Sequence, residues 1–330
     1  MTKLKLSFGC WDYDRTRALM DGRVQSDGID LNYLNMPVEE TFFRMLRHQE
    51  FDVAEMSLSS YAVSLSREPR PFVAIPVFPS RFFRHSCIYV NADAGIKTAS
   101  DLIGKRVGTP EYQMTAPVWI RGILQDHYGV PVDSVTYFTG GEETPGRSEK
   151  LKLDLPPNIR IQPIGPAQTL AQMLADGEID ALYTARMPST FRSRSDRVKR
   201  LFEDFEPVER NYFKETGIFP IMHTVAIRRE VYQANRWVAQ SLMKALKQAQ
   251  RRSYDDLAET AALKTMLPWL TAHVEQTQRD MGEDFWPYGL EKNQATLSSF
   301  LRYHHEQGLS KRLLAPCELF APESLESFVI

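Results

Sequence analysis

Polar and apolar residues alternate along residues 3–8, the period of a half-buried strand. Trp11, Asp12, Tyr13 and Asp14 then open a helix with acidic residues at its positive end, and Asp21 and Gly22 stop it. The alternation of strand and helix recurs with an apolar run over 29–36, a helix over 38–48 begun at Pro37, a strand over 52–57, and strands over 72–78 and 87–90. A second series starts near Asn91, with strands at 106–109, 135–138 and 179–184 and helices at 115–128 and 170–175. Between them, 150–155 and 159–162 alternate around Pro156-Pro157-Asn158, the pattern of a protruding hairpin. From about Met222 one strand, 223–227, precedes helical sequence. Val231, Ala234, Val238, Leu242, Ala245 and Ala249 recur every three or four residues, and two more helices are predicted over 269–281 and 294–307. This order predicts an α/β protein of two lobes with a helical C-terminal region, the first lobe from residues 1–90 and 222–330 and the second from 91–221.

Composition narrows the function classes. The 330 residues suffice for two domains, and 40 Lys and Arg against 42 Asp and Glu leave a net charge of -2, so nothing favours nucleic acid or an anionic membrane as partner. The basic run Arg192, Arg194, Arg197, Lys199 and Arg200 lacks a binding motif and reads as a solvated face. Cys10, Cys87 and Cys317 are far apart, and His304-His305 has no third ligand nearby, so neither a disulfide framework nor a metal site is expected. With neither a leader-like N-terminus nor an apolar run of membrane-spanning length, the expected location is the cytoplasm. The apolar end Ser327-Phe328-Val329-Ile330 suits docking on a second copy, giving a homo-oligomer, as well as on the chain's own surface.

Three segments carry a resemblance. Gln49-Glu50-Phe51-Asp52-Val53-Ala54-Glu55-Met56-Ser57, Asp101-Leu102-Ile103-Gly104-Lys105-Arg106-Val107-Gly108 and Gly177-Glu178-Ile179-Asp180-Ala181-Leu182 resemble segments of the periplasmic binding protein type II fold, which implies a ligand cleft between lobes. A narrower match rests on Trp11-Asp12-Tyr13-Asp14-Arg15-Thr16, Phe78 to Ser86, Gly108 to Ala116, and Tyr183-Thr184-Ala185-Arg186-Met187-Pro188. Together these resemble the 4,5-dihydroxyphthalate decarboxylase family, a cytoplasmic branch of that superfamily. The resemblance implies non-oxidative loss of one carboxylate from an aromatic dicarboxylate without a cofactor, yielding protocatechuate. The rival from another class is a binding or sensing protein that captures a small aromatic anion and performs no reaction.

In open α/β lobes ligands meet the carboxyl ends of strands, so the loops after the predicted strands hold the candidates. Two carboxylates call for guanidinium forks, and Arg81, Arg84 and Arg186 are the expected clamp, with Arg147 next. Protonating the ring carbon that carries the departing carboxylate needs an acid, and a base across the ring, by partly removing the proton of a para hydroxyl, would let that oxygen donate density into the ring. His85 is the candidate acid, Glu111 or Asp12 the base, and His223, at the expected return of the chain, the reserve. Trp11, Tyr13 and Tyr112 are placed to stack on an aromatic ligand, and Ser59, Gln113 and Thr115 lie in the same loops.

Overall fold

The computed structural model describes residues 2–66, 68–193 and 196–325; Arg194 and the apolar end Ser327 to Ile330 lie outside them. The chain divides into two compact units, one built from residues up to Arg81, from Ile221–Ala295 and from Ala315 onward, the other from Phe82–Pro220 and Thr296–Leu314.

The chain begins with β1 (Leu4–Cys10), α1 (Asp14–Met20), β2 (Ile29–Asn35), α2 (Val38–His48), β3 (Val53–Ser57), α3 (Leu58–Ser64) and β4 (Phe72–Ile75). The second unit follows with β5 (Ile88–Asn91), β6 (Arg106–Thr109), α4 (Thr115–Tyr128), β7 (Thr136–Thr139), β8 (Arg160–Pro163), α5 (Leu170–Ala175), β9 (Ala181–Tyr183), α6 (Ser189–Arg192), β10 (Val198–Arg200) and α7 (Phe205–Thr216). The chain then returns with β11 (His223–Arg228), α8 (Arg229–Ala234), α9 (Trp237–Ala258) and α10 (Leu270–Met281), and ends its regular helices with α11 (Gln294–Glu306).

The first sheet has the order β2-β1-β3-β11-β4 and the second β10-β5-β9-β6-β7-β8. In the first, β1 runs parallel to β2 and β3, while β11 inserts antiparallel between β3 and β4. Every residue of β3 is buried, as befits a central strand covered on both faces. The register pairs His223 with Ser57 and Val225 with Glu55, so His223 and Glu55 are diagonal neighbours on one face of the sheet.

Three expectations are corrected here. The hairpin over 150–162 does not form: only β8 is extended, and it pairs parallel with β7 rather than with 150–155. Pro156 and Pro157 supply no N–H groups for a ladder, and the preceding residues fold into loop. The long stripe after Arg229 is split into α8 and α9, with Asn235 in a non-helical conformation between them. The compact units also depart from the expected division. The chain enters the second unit at Phe82, and residues 296–314, expected with the first lobe, pack in the second. The physical reason is a fitted surface: Trp119 meets Phe300 and Tyr303 with ring centroids 5.4 and 5.7 Å away. Gly122 leaves the space that the Tyr303 ring fills, since a Cβ there would lie 2.1 Å from the ring. Arg121, 2% exposed, donates from Nε to Gln307 Oε1 at 2.7 Å.

Candidate active site

In the first unit, the carboxyl ends of β1 and β3 and the start of β11 lie along one edge of the sheet, and they gather a connected set of polar side chains. At its centre is Glu55, a carboxylate in an otherwise uncharged strand and 0% exposed. A buried carboxylate must be bonded on all sides to stay charged. Tyr13 donates its hydroxyl to Glu55 Oε1 at 2.6 Å, and Nδ1 of His223 lies 2.6 Å from the same oxygen. The Trp11 backbone N–H donates to Oε2 at 3.2 Å, and the Cys10 thiol approaches it at 3.7 Å.

These contacts decide protonation states. Burial opposes ionisation of Glu55, but His223, the Tyr13 hydroxyl and the Trp11 N–H outweigh it and hold the carboxyl below its ordinary range. Burial, reinforced by the Glu55 charge, pushes both Tyr13 and Cys10 up, so each stays protonated. An ionised Glu55 is an acceptor for the Nδ1 proton of His223, which leaves Nε2 as the ring nitrogen not engaged by Glu55. The His223 side chain is 16% exposed, its ring edge-on to Phe42 with centroids 4.8 Å apart, and Nε2 has no protein partner among the described residues.

The surrounding loop is held rigid. Tyr33 donates to the Trp11 carbonyl at 2.8 Å and to Thr16 Oγ1 at 3.0 Å, and the Tyr13 N–H donates to Thr16 Oγ1 at 3.3 Å. Trp11 is 41% exposed, an accessible aromatic face beside the dyad. Arg15, in the first turn of α1, lies between two rings, 4.2 Å from the Tyr13 centroid and 4.3 Å from that of Trp286. Asp12, an expected base, instead pairs with Arg17 at 2.8 Å toward solvent. Ser59 is fully buried in the first turn of α3.

The second unit contains a different group. Glu111, the other expected base, is 1% exposed and accepts from Arg147 Nε at 2.9 Å, Arg147 Nη2 at 2.6 Å, Gln113 Nε2 at 3.1 Å and the Lys150 ammonium. This pairing ties the 145–150 loop to the start of α4, where Thr115 is buried. Tyr112, 0% exposed, packs beneath Arg121, whose guanidinium carbon is 3.9 Å from the ring centroid, so it offers no face for stacking.

His85, expected as the proton donor, also lies in this unit and is 1% exposed. Its ring meets Tyr128, Phe202 and Tyr212 edge-on, neither nitrogen has a hydrogen-bond partner among the described residues, and burial pushes it down to about 4. At neutral pH it is an uncharged packing group. The expected clamp is likewise divided. Arg81 is buried in the first unit on the Pro287 carbonyl at 2.8 Å and on Asn293, and burial pushes it down to about 9. Arg84 and Arg186 belong to the second unit, where Arg84 stacks on Phe82 and contacts Cys87 Sγ at 3.5 Å, and Arg186 is exposed.

Glu55, Arg15 and Glu142 are not among the residues that the sequence marks as candidates. Glu142 follows β7 and is 8% exposed; one oxygen takes the Thr184 hydroxyl, the other has no partner among the described residues, and burial pushes the carboxyl up to about 7. A carboxyl raised in the folded state favours folding while protonated, and that advantage fades as pH rises from the unfolded value toward 7. Glu142→Gln is therefore expected to stabilise the protein at pH 8 by up to about 3 kcal/mol and to change little at pH 4.5. Thermal melts at the two pH values check this, and an equal shift at both would contradict it.

Comparison with known proteins places this architecture. A periplasmic sulfonate-binding protein of Methylobacillus flagellatus KT superposes with a TM-score of 0.55 at 12% identity, covering 98% of this chain and 93% of that one. The alkanesulfonate-binding protein of Xanthomonas axonopodis pv. citri, bound to MOPS, gives 0.51 at 14% identity and covers 98% of both. The chain thus has the periplasmic binding protein fold. No family model matches it. Over all 330 residues it is 43% identical to the 4,5-dihydroxyphthalate decarboxylase of Comamonas testosteroni, with 100% of each chain covered. The chain belongs to the 4,5-dihydroxyphthalate decarboxylase family, and its enzyme class is that of the carbon–carbon lyases.

Proposed function

We propose that the protein removes one carboxylate from 4,5-dihydroxyphthalate to give protocatechuate, in the cytoplasm and without a cofactor, with His223 as the proton donor. The observation that carries the assignment of roles is the Glu55–His223 pair, a buried carboxylate fixing a histidine whose other nitrogen is accessible. The acid role goes to His223 rather than His85 because His85 is enclosed by aromatic rings.

The chemistry follows from this arrangement. His223, as imidazolium, delivers the Nε2 proton to the ring carbon bearing the departing carboxylate, while the hydroxyl para to that carbon donates density into the ring. The bond to the carboxylate carbon then breaks, its electron pair restores aromaticity, and carbon dioxide leaves. Glu55 stabilises the imidazolium before transfer, and neutral His223 regains a proton from water. Tyr13 holds Glu55 in place, and the exposed Trp11 ring offers a surface for the aromatic substrate.

The test is incubation of the purified protein with 4,5-dihydroxyphthalate in D2O, with and without a chelator. Carbon dioxide and protocatechuate should form in equal amounts under both conditions, with deuterium at the vacated ring position. Absence of product would refute the assigned reaction, and dependence on added metal would refute the cofactor-free route.

A further inference from the structure

Arg15 is built into the first unit in a way that surface arginines are not. Its guanidinium lies between the Tyr13 and Trp286 rings, and both rings are themselves fixed. Tyr13 is bonded to Glu55, and the Trp286 indole N–H donates to the Phe78 carbonyl at 2.8 Å. Within the plane of the guanidinium, Nε donates to the Pro79 carbonyl at 2.5 Å and Nη1 to Asp14 at 2.8 Å. Nη2 carries no hydrogen bond among the described residues, although the side chain is only 16% exposed. A planar cation locked on two faces and two edges, with one edge open, is preorganised for a carboxylate, because little rotamer entropy is lost on binding.

Its position relates it to the dyad. The Tyr13 ring lies under Arg15 and the Tyr13 hydroxyl meets the Glu55 oxygen that holds His223, so one ring and two hydrogen bonds separate the cation from the imidazole. We propose that Arg15 receives the carboxylate that the substrate keeps, which makes it the residue selecting an ortho-dicarboxylate over a catechol lacking that group. A fixed cation suits the retained group and not the departing one, since holding charge on the departing carboxylate would stabilise the ground state against loss of carbon dioxide. This assignment rests on the decarboxylase reading above.

Binding measurements on the full-length protein separate the two. Titration calorimetry is run with phthalate, protocatechuate and catechol on wild type, Arg15→Gln and Arg15→Lys, alongside near-ultraviolet circular dichroism. In Arg15→Gln, affinity for phthalate and for protocatechuate, which keeps the carboxylate in question, should fall together by about 10- to 100-fold, with catechol unchanged. Arg15→Lys, which preserves the charge without the fork, should fall between. Protocatechuate affinity kept while phthalate affinity falls would place Arg15 on the departing group and overturn the proposal. An equal loss for all three ligands would assign Arg15 to packing and overturn it as well. A wild type that binds these acids but releases no carbon dioxide from 4,5-dihydroxyphthalate strikes the catalytic reading alone, leaving Arg15 to be judged by the binding data.

Discussion

His223→Gln is expected to lower turnover of 4,5-dihydroxyphthalate by about 10²- to 10⁴-fold, the range that a positioned acid contributes, with little change in KM. Gln retains a hydrogen-bonding group of similar reach beside Glu55 but has no proton to give at neutral pH. The first unit should remain folded, because His223 is partly exposed and its removal opens no apolar cavity. Initial-rate measurements over a range of substrate concentrations check this. Wild-type kcat in the variant would eliminate His223 as the acid, and a loss confined to KM would make it a binding group. The parallel variant His85→Gln separates the two histidines: its effect should appear in thermal stability, since His85 fills an aromatic enclosure.

The second large effect is expected at Glu55→Gln, a neutral replacement of nearly the same shape. Turnover should drop on the order of 10²-fold or more, because an amide neither stabilises an imidazolium nor enforces the Nδ1–H tautomer. Initial rates of wild type and Glu55→Gln at neutral pH check this. Stability follows the sign of the Glu55 shift. A carboxyl held below its ordinary range adds stability that is present above the unfolded value and is lost as pH falls through the folded one. Wild type should therefore melt higher than Glu55→Gln at pH 7, and the two should converge in acid. An unchanged kcat would show that Glu55 serves the fold alone.

Much of the architecture is legible in the chain because each local signal agrees with the packing around it. Helix α2 begins after Pro37 and ends at His48 as the pattern predicts, and α4 and α5 match their predicted spans. The candidate site residues are harder to read. Glu55 is the one charged residue of β3, and its stretch reads as an ordinary central strand; the signal lies in the cost of an ion in such a place. Arg15 looks like a solvated residue of a first helical turn, because Trp286, which covers it, is remote in sequence. His85 and the loop arginines are residue types that suit the chemistry, but their surroundings depend on long-range packing that periodicity does not record. Fold class came from patterns of a few residues, whereas the site depends on pairs such as Glu55 with His223, which only the antiparallel insertion of β11 brings together.

The fit of α11 against Trp119 and Gly122 has a consequence for how the protein is made. On the ribosome, every strand of the second sheet emerges before the helix that covers the Trp119 side of α4. That indole lacks its cover until α11 has been made. A premature stop codon just upstream of Gln294 would thus keep every strand of both sheets, yet remove the cover of the second unit together with the segment from Ala315 onward that bonds the β4 edge of the first, leaving apolar surface of the kind that chaperones and proteases engage.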